Sequence, residues 1–185
     1  MIEDVIRDAE ARMGKALESE RHDLVNIRTG RANPSVLEGV LVQAYGTSMP
    51  LVQLATISAP EARMLTIQPY DRTVIGDIER AIQKSDLGFN PTNEGTMIRI
   101  IIPQLTEERR REMVKMVHKR VEESKVSIRN IRREAHDNLR RMLKSKEISE
   151  DEEDVAAEDL QRLTDRMIEQ ADALGSTKEA EMLEV

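Results

Sequence analysis

The stretch that most constrains this chain runs from Thr106 to Lys146. Met113, Val117, Val121, Ser124, Ile128, Ile131, Ala135, Leu139 and Met142 follow one another at steps of three or four, and no Gly or Pro interrupts them. That spacing predicts one helix with an apolar seam of coiled-coil type. Thr106 with Glu107 and Glu108 behind it suits a helix start, because acids oppose the N-terminal dipole. At 1.5 Å per residue the helix is roughly 60 Å long, more than one compact domain of this size needs.

A second face of the same helix is basic. At 100° per residue, Lys125, Arg129, Arg132, Arg133, His136 and Arg140 fall within about a third of the circumference, roughly 120° from the seam. Between Lys125 and Lys144, seven Lys/Arg meet only Glu134 and Asp137, a net charge of +5. A phosphate-binding ridge is one reading, and a solvated helix face is the other.

Composition narrows the class. With 2% aromatic residues and no Trp, the core has to be built from aliphatic side chains, which suits helix packing. The absence of cysteine excludes disulfides, thiol catalysis and zinc–thiolate sites. No apolar run approaches the length of a membrane span. The acidic start Met1-Ile2-Glu3-Asp4 carries no leader pattern, so a cytoplasmic protein is expected. Net charge is −7, but residues 146–185 alone carry −10. So uneven a distribution favours a local cationic patch that docks in one orientation over indiscriminate nucleic-acid binding.

Two more long helices flank this one. Residues 2–28 carry Ile2, Val5, Ile6, Ala9, Met13, Leu17, Leu24 and Ile27 on one side, with Gly14 a mild interruption and His22 on the surface. Ser149 with Glu152 three residues on predicts a capping box opening the last helix. Its seam is Ala156, Leu160, Leu163, Met167, Ala171 and Leu174, with a kink or frayed end expected at Gly175-Ser176-Thr177. Each helix has one apolar stripe, so an antiparallel three-helix bundle is the economical arrangement.

Between the first two helices the pattern turns to β. Val40–Tyr45, Leu51–Ser58, Met64–Gln68 and Met97–Ile102 read as strands. Gly46-Thr47-Ser48 reads as a turn, Ala59-Pro60-Glu61 as a break and Asn90–Gly95 as a loop, while Asp71–Leu87 has helical spacing. The expected class is α+β: a discontinuous bundle (1–29 and 105–185) interrupted by a small β/α/β domain (30–104). The two crossings, Thr29-Gly30-Arg31-Ala32 and Pro103-Gln104-Leu105-Thr106, are expected to act as a hinge.

Little here suggests catalysis. The glycines match no phosphate loop, and none of His22, His118 and His136 has a second histidine at i+4. Glu150–Asp154 lacks the alternation and the glycine of a calcium loop. No cofactor or metal is expected, and the chain is not expected to be an enzyme. Phe89, Tyr45 and Tyr70 all lie in the inserted domain, away from the ridge. The ridge therefore lacks stacking platforms for single strands and suits the backbone of folded RNA. Two rivals are a three-helix adaptor, which needs no RNA, and an enzyme using a polar pocket of the inserted domain.

Five segments together resemble the ribosome recycling factor family over essentially the whole chain. They are Arg28-Thr29-Gly30-Arg31-Ala32-Asn33-Pro34, Pro50–Ala55, Ser85-Asp86-Leu87-Gly88, Leu105–Arg110, and Ile128-Arg129-Asn130-Ile131-Arg132-Arg133. The resemblance implies an L-shaped monomer that binds large-subunit ribosomal RNA on the post-termination ribosome. With elongation factor G and that partner's GTP hydrolysis, it would split the subunits. It places RNA-facing arginines at Arg28, Arg31, Arg129, Arg132 and Arg133, to which the ridge adds Lys125 and Arg140. Ala44 before Tyr45 departs from the family's usual pair of tyrosines, a difference confined to the inserted domain.

Overall fold

A computed structural model describes residues 1–27 and 29–183. The chain forms two compact units, one of helices from its two ends and one from residues 29–106. The helical unit contains α1 (Ile2–Val25), α4 (Glu107–Lys144) and α5 (Glu150–Leu183). The other contains β1 (Leu41–Ala44), β2 (Thr47–Pro50), α2 (Leu51–Leu54), β3 (Ala55–Glu61), β4 (Met64–Pro69), α3 (Ile75–Lys84), β5 (Pro91–Asn93) and β6 (Ile98–Ile101). The class is α+β.

The long seam folds as its spacing dictates. Met113 through Leu139 are buried along α4, and Met142 is half-buried. Acids in the first turn and Arg141 and Lys144 in the last complement the helix dipole. Lys146 takes the left-handed conformation (φ 61°), and the Glu147 N–H reaches back to the Met142 carbonyl at 2.9 Å. That pattern of closing bonds ends α4.

The capping box forms at α5. The Ser149 N–H donates to Glu152 Oε2 at 2.8 Å, and the Glu152 N–H donates to Ser149 Oγ at 3.2 Å. Ser149→Ala should lower the bundle's stability by about 0.5–2 kcal/mol in urea unfolding, with the slope against urea unchanged.

Gly175 does not kink α5, which runs unbroken to Leu183. It sits where α5 meets α4, and a Cβ there would lie 2.6 Å from Val121 Cγ2. The glycine is there for close approach between helices. Leu174, assigned to the seam by spacing, is only half-buried, while Gly175 itself is buried.

The sheet unit differs more from expectation. Thr47–Pro50 is a strand, pairing antiparallel with Leu41–Ala44 through a two-residue turn at Tyr45-Gly46. Both turn residues have positive φ, 52° and 76°, as a mirror-image hairpin turn requires. The Tyr45 hydroxyl donates to Asp71 Oδ2 at 2.5 Å, anchoring the strained tyrosine. Leu51–Leu54 is one helical turn, and the strand begins only at Ala55.

Ala59-Pro60-Glu61 belongs to β3, where the register shifts between Ser58 and Glu61. An irregular edge strand tolerates Pro60 because no ladder donor is needed there. Pro91–Asn93 is also an edge strand, so the sheet order is β3-β4-β6-β5, all antiparallel. α3 is shorter than its apolar spacing, a 3₁₀ turn (Arg72–Val74) preceding it. Ile78 and Ile82 of α3 join Leu65, Ile67, Ile98 and Ile100 in this unit's own core.

Candidate nucleic-acid interface

The basic face of α4 is set by the seam opposite it. Ile128, Ile131, Ala135 and Leu139 are buried, so the residues between them face outward or flank the neighbouring helices. Arg129, Arg133 and Arg140 are exposed and hold no ion pair or side-chain hydrogen bond among the described residues. In an ideal helix they lie within about 40° of one line and span about 16 Å along the axis. Lys144 extends that line, exposed and also unpaired among the described residues; the ridge read from spacing ends at Arg140 and omits it.

The other ridge residues are held by neighbouring helices. Arg132 is half-buried, and its Nη1 donates to Gln161 Oε1 of α5 at 3.1 Å. Gln161 in turn donates to Asp165 Oδ1 at 2.8 Å. Arg132 is thus oriented without meeting a carboxylate directly.

Lys125 is not free in the way the ridge reading expects. Its Nζ lies 3.1 Å from Asp172 Oδ1 and 3.3 Å from Glu122 Oε1, and its side chain is 16% exposed. The bond to Asp172 holds its pKa above the usual lysine value. The charge is present but neutralised locally. His136 Nε2 lies 3.8 Å from Glu153 Oε1, an ionic contact only when the imidazole is protonated.

Counting charges from Lys125 onward misses these partners because α5 supplies Gln161, Asp172 and Glu153, and Glu122 precedes the counted stretch on α4. The same packing also removes an acid from the ridge. Glu134 is turned to α1, where it pairs with Arg12 Nη2 at 2.7 Å.

Arg31 lies in the other unit; its side chain is exposed and its N–H donates to Thr29 Oγ1 at 3.4 Å. Arg28 is outside the described residues.

The candidate hinge residues belong largely to the sheet unit. Gly30 (φ 77°) packs on Leu105, whose Cγ would lie 2.9 Å from an added Cβ. The Ala32 N–H donates to the Ala62 carbonyl at 2.7 Å. Just before Pro103, the Ile102 N–H donates to the Arg63 carbonyl at 2.8 Å. Thr29 is buried, and Gln104 and Thr106 are exposed. Gly30 therefore answers first to a local packing need, and a proline, fixed near φ −65°, could not replace it.

A groove of about 540 Å³ in the sheet unit is lined by Val36, Leu41, Asp77, Arg80, Lys84 and Leu87 among others. Asp77 and Arg80 bind each other, so these charges do not converge on the opening. No group of three or more His, Cys, Asp or Glu among the described residues could hold a metal. None of the described helices is long and apolar enough to cross a membrane.

The family model described as ribosome recycling factor matches residues 20–183. The chain is 55% identical over 185 residues to a ribosome-recycling factor of Halalkalibacterium halodurans, covering all of both. It is likewise 55% identical to one of Thermomicrobium roseum, again over the full length of each. A solution structure of the ribosome recycling factor matches with TM-score 0.76 and 42% identity, over 100% of this chain and 98% of that one. A second match is the T. thermophilus ribosome recycling factor in a structure with E. coli elongation factor G, bound to the E. coli post-termination complex. It has TM-score 0.65 and 44% identity, over 99% of each chain.

Proposed function

The chain belongs to the ribosome recycling factor family, and from that premise we propose that α4 docks the bundle on large-subunit ribosomal RNA of the post-termination ribosome. Elongation factor G then supplies the work, and the subunits separate. The observation that carries the docking step is the row Arg129, Arg133 and Arg140, aligned on one helix and free of carboxylates among the described residues. Unpaired guanidinium groups need no internal bond broken before they meet phosphate, and they can bind it bidentately. Arg132, preset by Gln161, adds a donor at the edge of the row. Lys125 has a structural role in this reading, and Arg28 and Arg31 enter by resemblance alone.

A long helix packed along its length is stiff, so phosphate contacts fix its register and orientation without reading bases. The sequence contains no phosphate loop, so GTP hydrolysis belongs to elongation factor G. The 29–106 unit is where that partner would push, pivoting about the crossings into α1 and α4. The factor would act as a monomer in the cytoplasm. The related factor found with elongation factor G on a post-termination complex supports this reading.

The test is co-sedimentation with large subunits across a salt series. Arg129→Ala and Arg133→Ala should each weaken binding by about 1–3 kcal/mol while leaving the helical spectrum intact. Each should also reduce the salt slope by about one phosphate contact. Arg132→Ala should weaken binding too, whereas Lys125→Ala should chiefly affect bundle stability. Unchanged affinity and slope in the Arg129/Arg133 double variant would remove the ridge as the docking face. Binding indifferent to salt would favour a protein adaptor.

A further inference from the structure

Glu20 interrupts the bundle's core. It follows Ala9, Met13 and Leu17 on the buried stripe of α1, where an apolar residue is expected, and none of its surface is exposed. Ser124, also buried, occupies the facing position on the α4 seam. Neither oxygen of the Glu20 carboxyl, nor the Ser124 hydroxyl, has a hydrogen-bond partner of normal geometry among the described residues.

The apolar core divides at this layer. One contiguous cluster contains Leu17, Ile128 and Ala171 and runs toward Leu139 and Ala156. Beyond Glu20 and Ser124, Leu24, Met113, Val117, Val121 and Met182 are buried but stand outside that cluster.

The charges around Glu20 are already matched to each other. From α4, Arg120 donates to Asp23 Oδ2 at 2.6 Å and to Ser19 Oγ at 3.2 Å. From α5, Asp172 binds Lys125 and adds negative potential at Glu20. Burial raises the Glu20 pKa to about 7, against weaker opposing effects of Ser124 and Arg120. An ionised carboxylate here would lack both water and a counter-ion of its own, whereas the protonated acid is much less costly to bury.

We propose that the Glu20–Ser124 layer makes the bundle a two-part rod. The end segment built on Leu24, Met113, Val117, Val121 and Met182 opens separately, and opens more readily once Glu20 loses its proton. In the opened segment Glu20 ionises near its ordinary value of 4.5, against about 7 when closed. Between these values the closed form holds the extra proton. Protection is therefore full below about pH 4.5, declines through that window and levels off above about 7. This is local opening, drawn from the lower end of the protein's range of stabilities.

Hydrogen exchange of the full chain at pH 5 and pH 8, corrected for intrinsic rates, tests it. Protection of the 113–121 amides should fall roughly 10–100-fold between the two, at tenfold per unit of pKa difference. The 128–139 amides should change far less. Glu20→Gln should abolish the pH dependence at 113–121. Glu20→Leu should join the two apolar groups and raise protection there at pH 8. If Glu20→Gln keeps the wild-type pH dependence, Glu20 is not the group responsible. If the two segments exchange with equal protection at both pH values, the rod opens as one piece and the proposal fails.

Discussion

Gly175→Leu should lower the bundle's unfolding free energy by about 3 kcal/mol, a fall of roughly 10 °C or more in Tm for a unit of this size. An added Cβ would lie only 2.6 Å from Val121 Cγ2. Carbon atoms need about 3.5–4.0 Å. Val121 cannot swing aside, because a β-branched side chain in a helix is nearly confined to one χ1 rotamer. Relief must come from separating α4 and α5, which loosens Val117 and Val121 together. Gly175→Ala is the sharper probe. It gains about 1 kcal/mol of helix propensity over glycine, yet a net loss is expected because the clash outweighs it. Val121→Ala alone should cost roughly 1–3 kcal/mol. The Gly175→Ala/Val121→Ala pair should cost clearly less than the sum of the two, since each change makes room for the other. Additive losses, read from urea unfolding of all four proteins, would mean that Gly175 is not held small by Val121.

Gly175 also shows why some of the fold is hidden in the sequence. A glycine near the end of a helical pattern signals equally a kink, a cap or a close approach, and only the partner helix decides. The α4 seam is legible because eight buried positions repeat one spacing and none contradicts it. The capping box is legible because its two side chains act within four residues. The sheet unit is harder. Leu51–Leu54, apolar but for Gln53, is too short to show a period. Strands β2 and β5 are edge strands rich in Pro, Ser, Thr and Asn, the residues that also mark turns. Their identity comes from pairing with residues elsewhere, a non-local fact.

The interface divides the same way. Periodicity puts Arg129, Arg133 and Arg140 on one face of α4, and the buried seam keeps that face turned outward. It cannot distinguish Arg133 from Lys125, which differ in what α5 offers them. Asp172 reaches Lys125 and Gln161 reaches Arg132, from 47 and 29 residues away. Glu20 escapes for the opposite reason. A charged residue at a seam position looks like a break in the stripe, so spacing gives no sign that its exposure is 0%.

The second large effect concerns the other unit. Ile67→Ala should cost about 2–5 kcal/mol, a large share of what a small unit possesses. Ile67 has no exposed surface, and it lies on β4 between Ile57 of β3 and Ile98 of β6. It is therefore at the centre of its sheet, where neighbours on both sides limit collapse around the lost atoms. Its core cluster contains no residue of α1, α4 or α5. The loss should consequently stay within residues 29–106. Exchange protection should drop at the amides of β4 and β6, while the helical melting transition of the bundle keeps its midpoint. If docking resides in α4 and the push falls on the sheet unit, as proposed, large-subunit binding should survive this substitution while subunit splitting fails, because the pushed unit no longer holds its shape. One cooperative transition, shifted as a whole for both units, would show that they share stability despite their separate cores. The push could not then be assigned to the sheet unit alone.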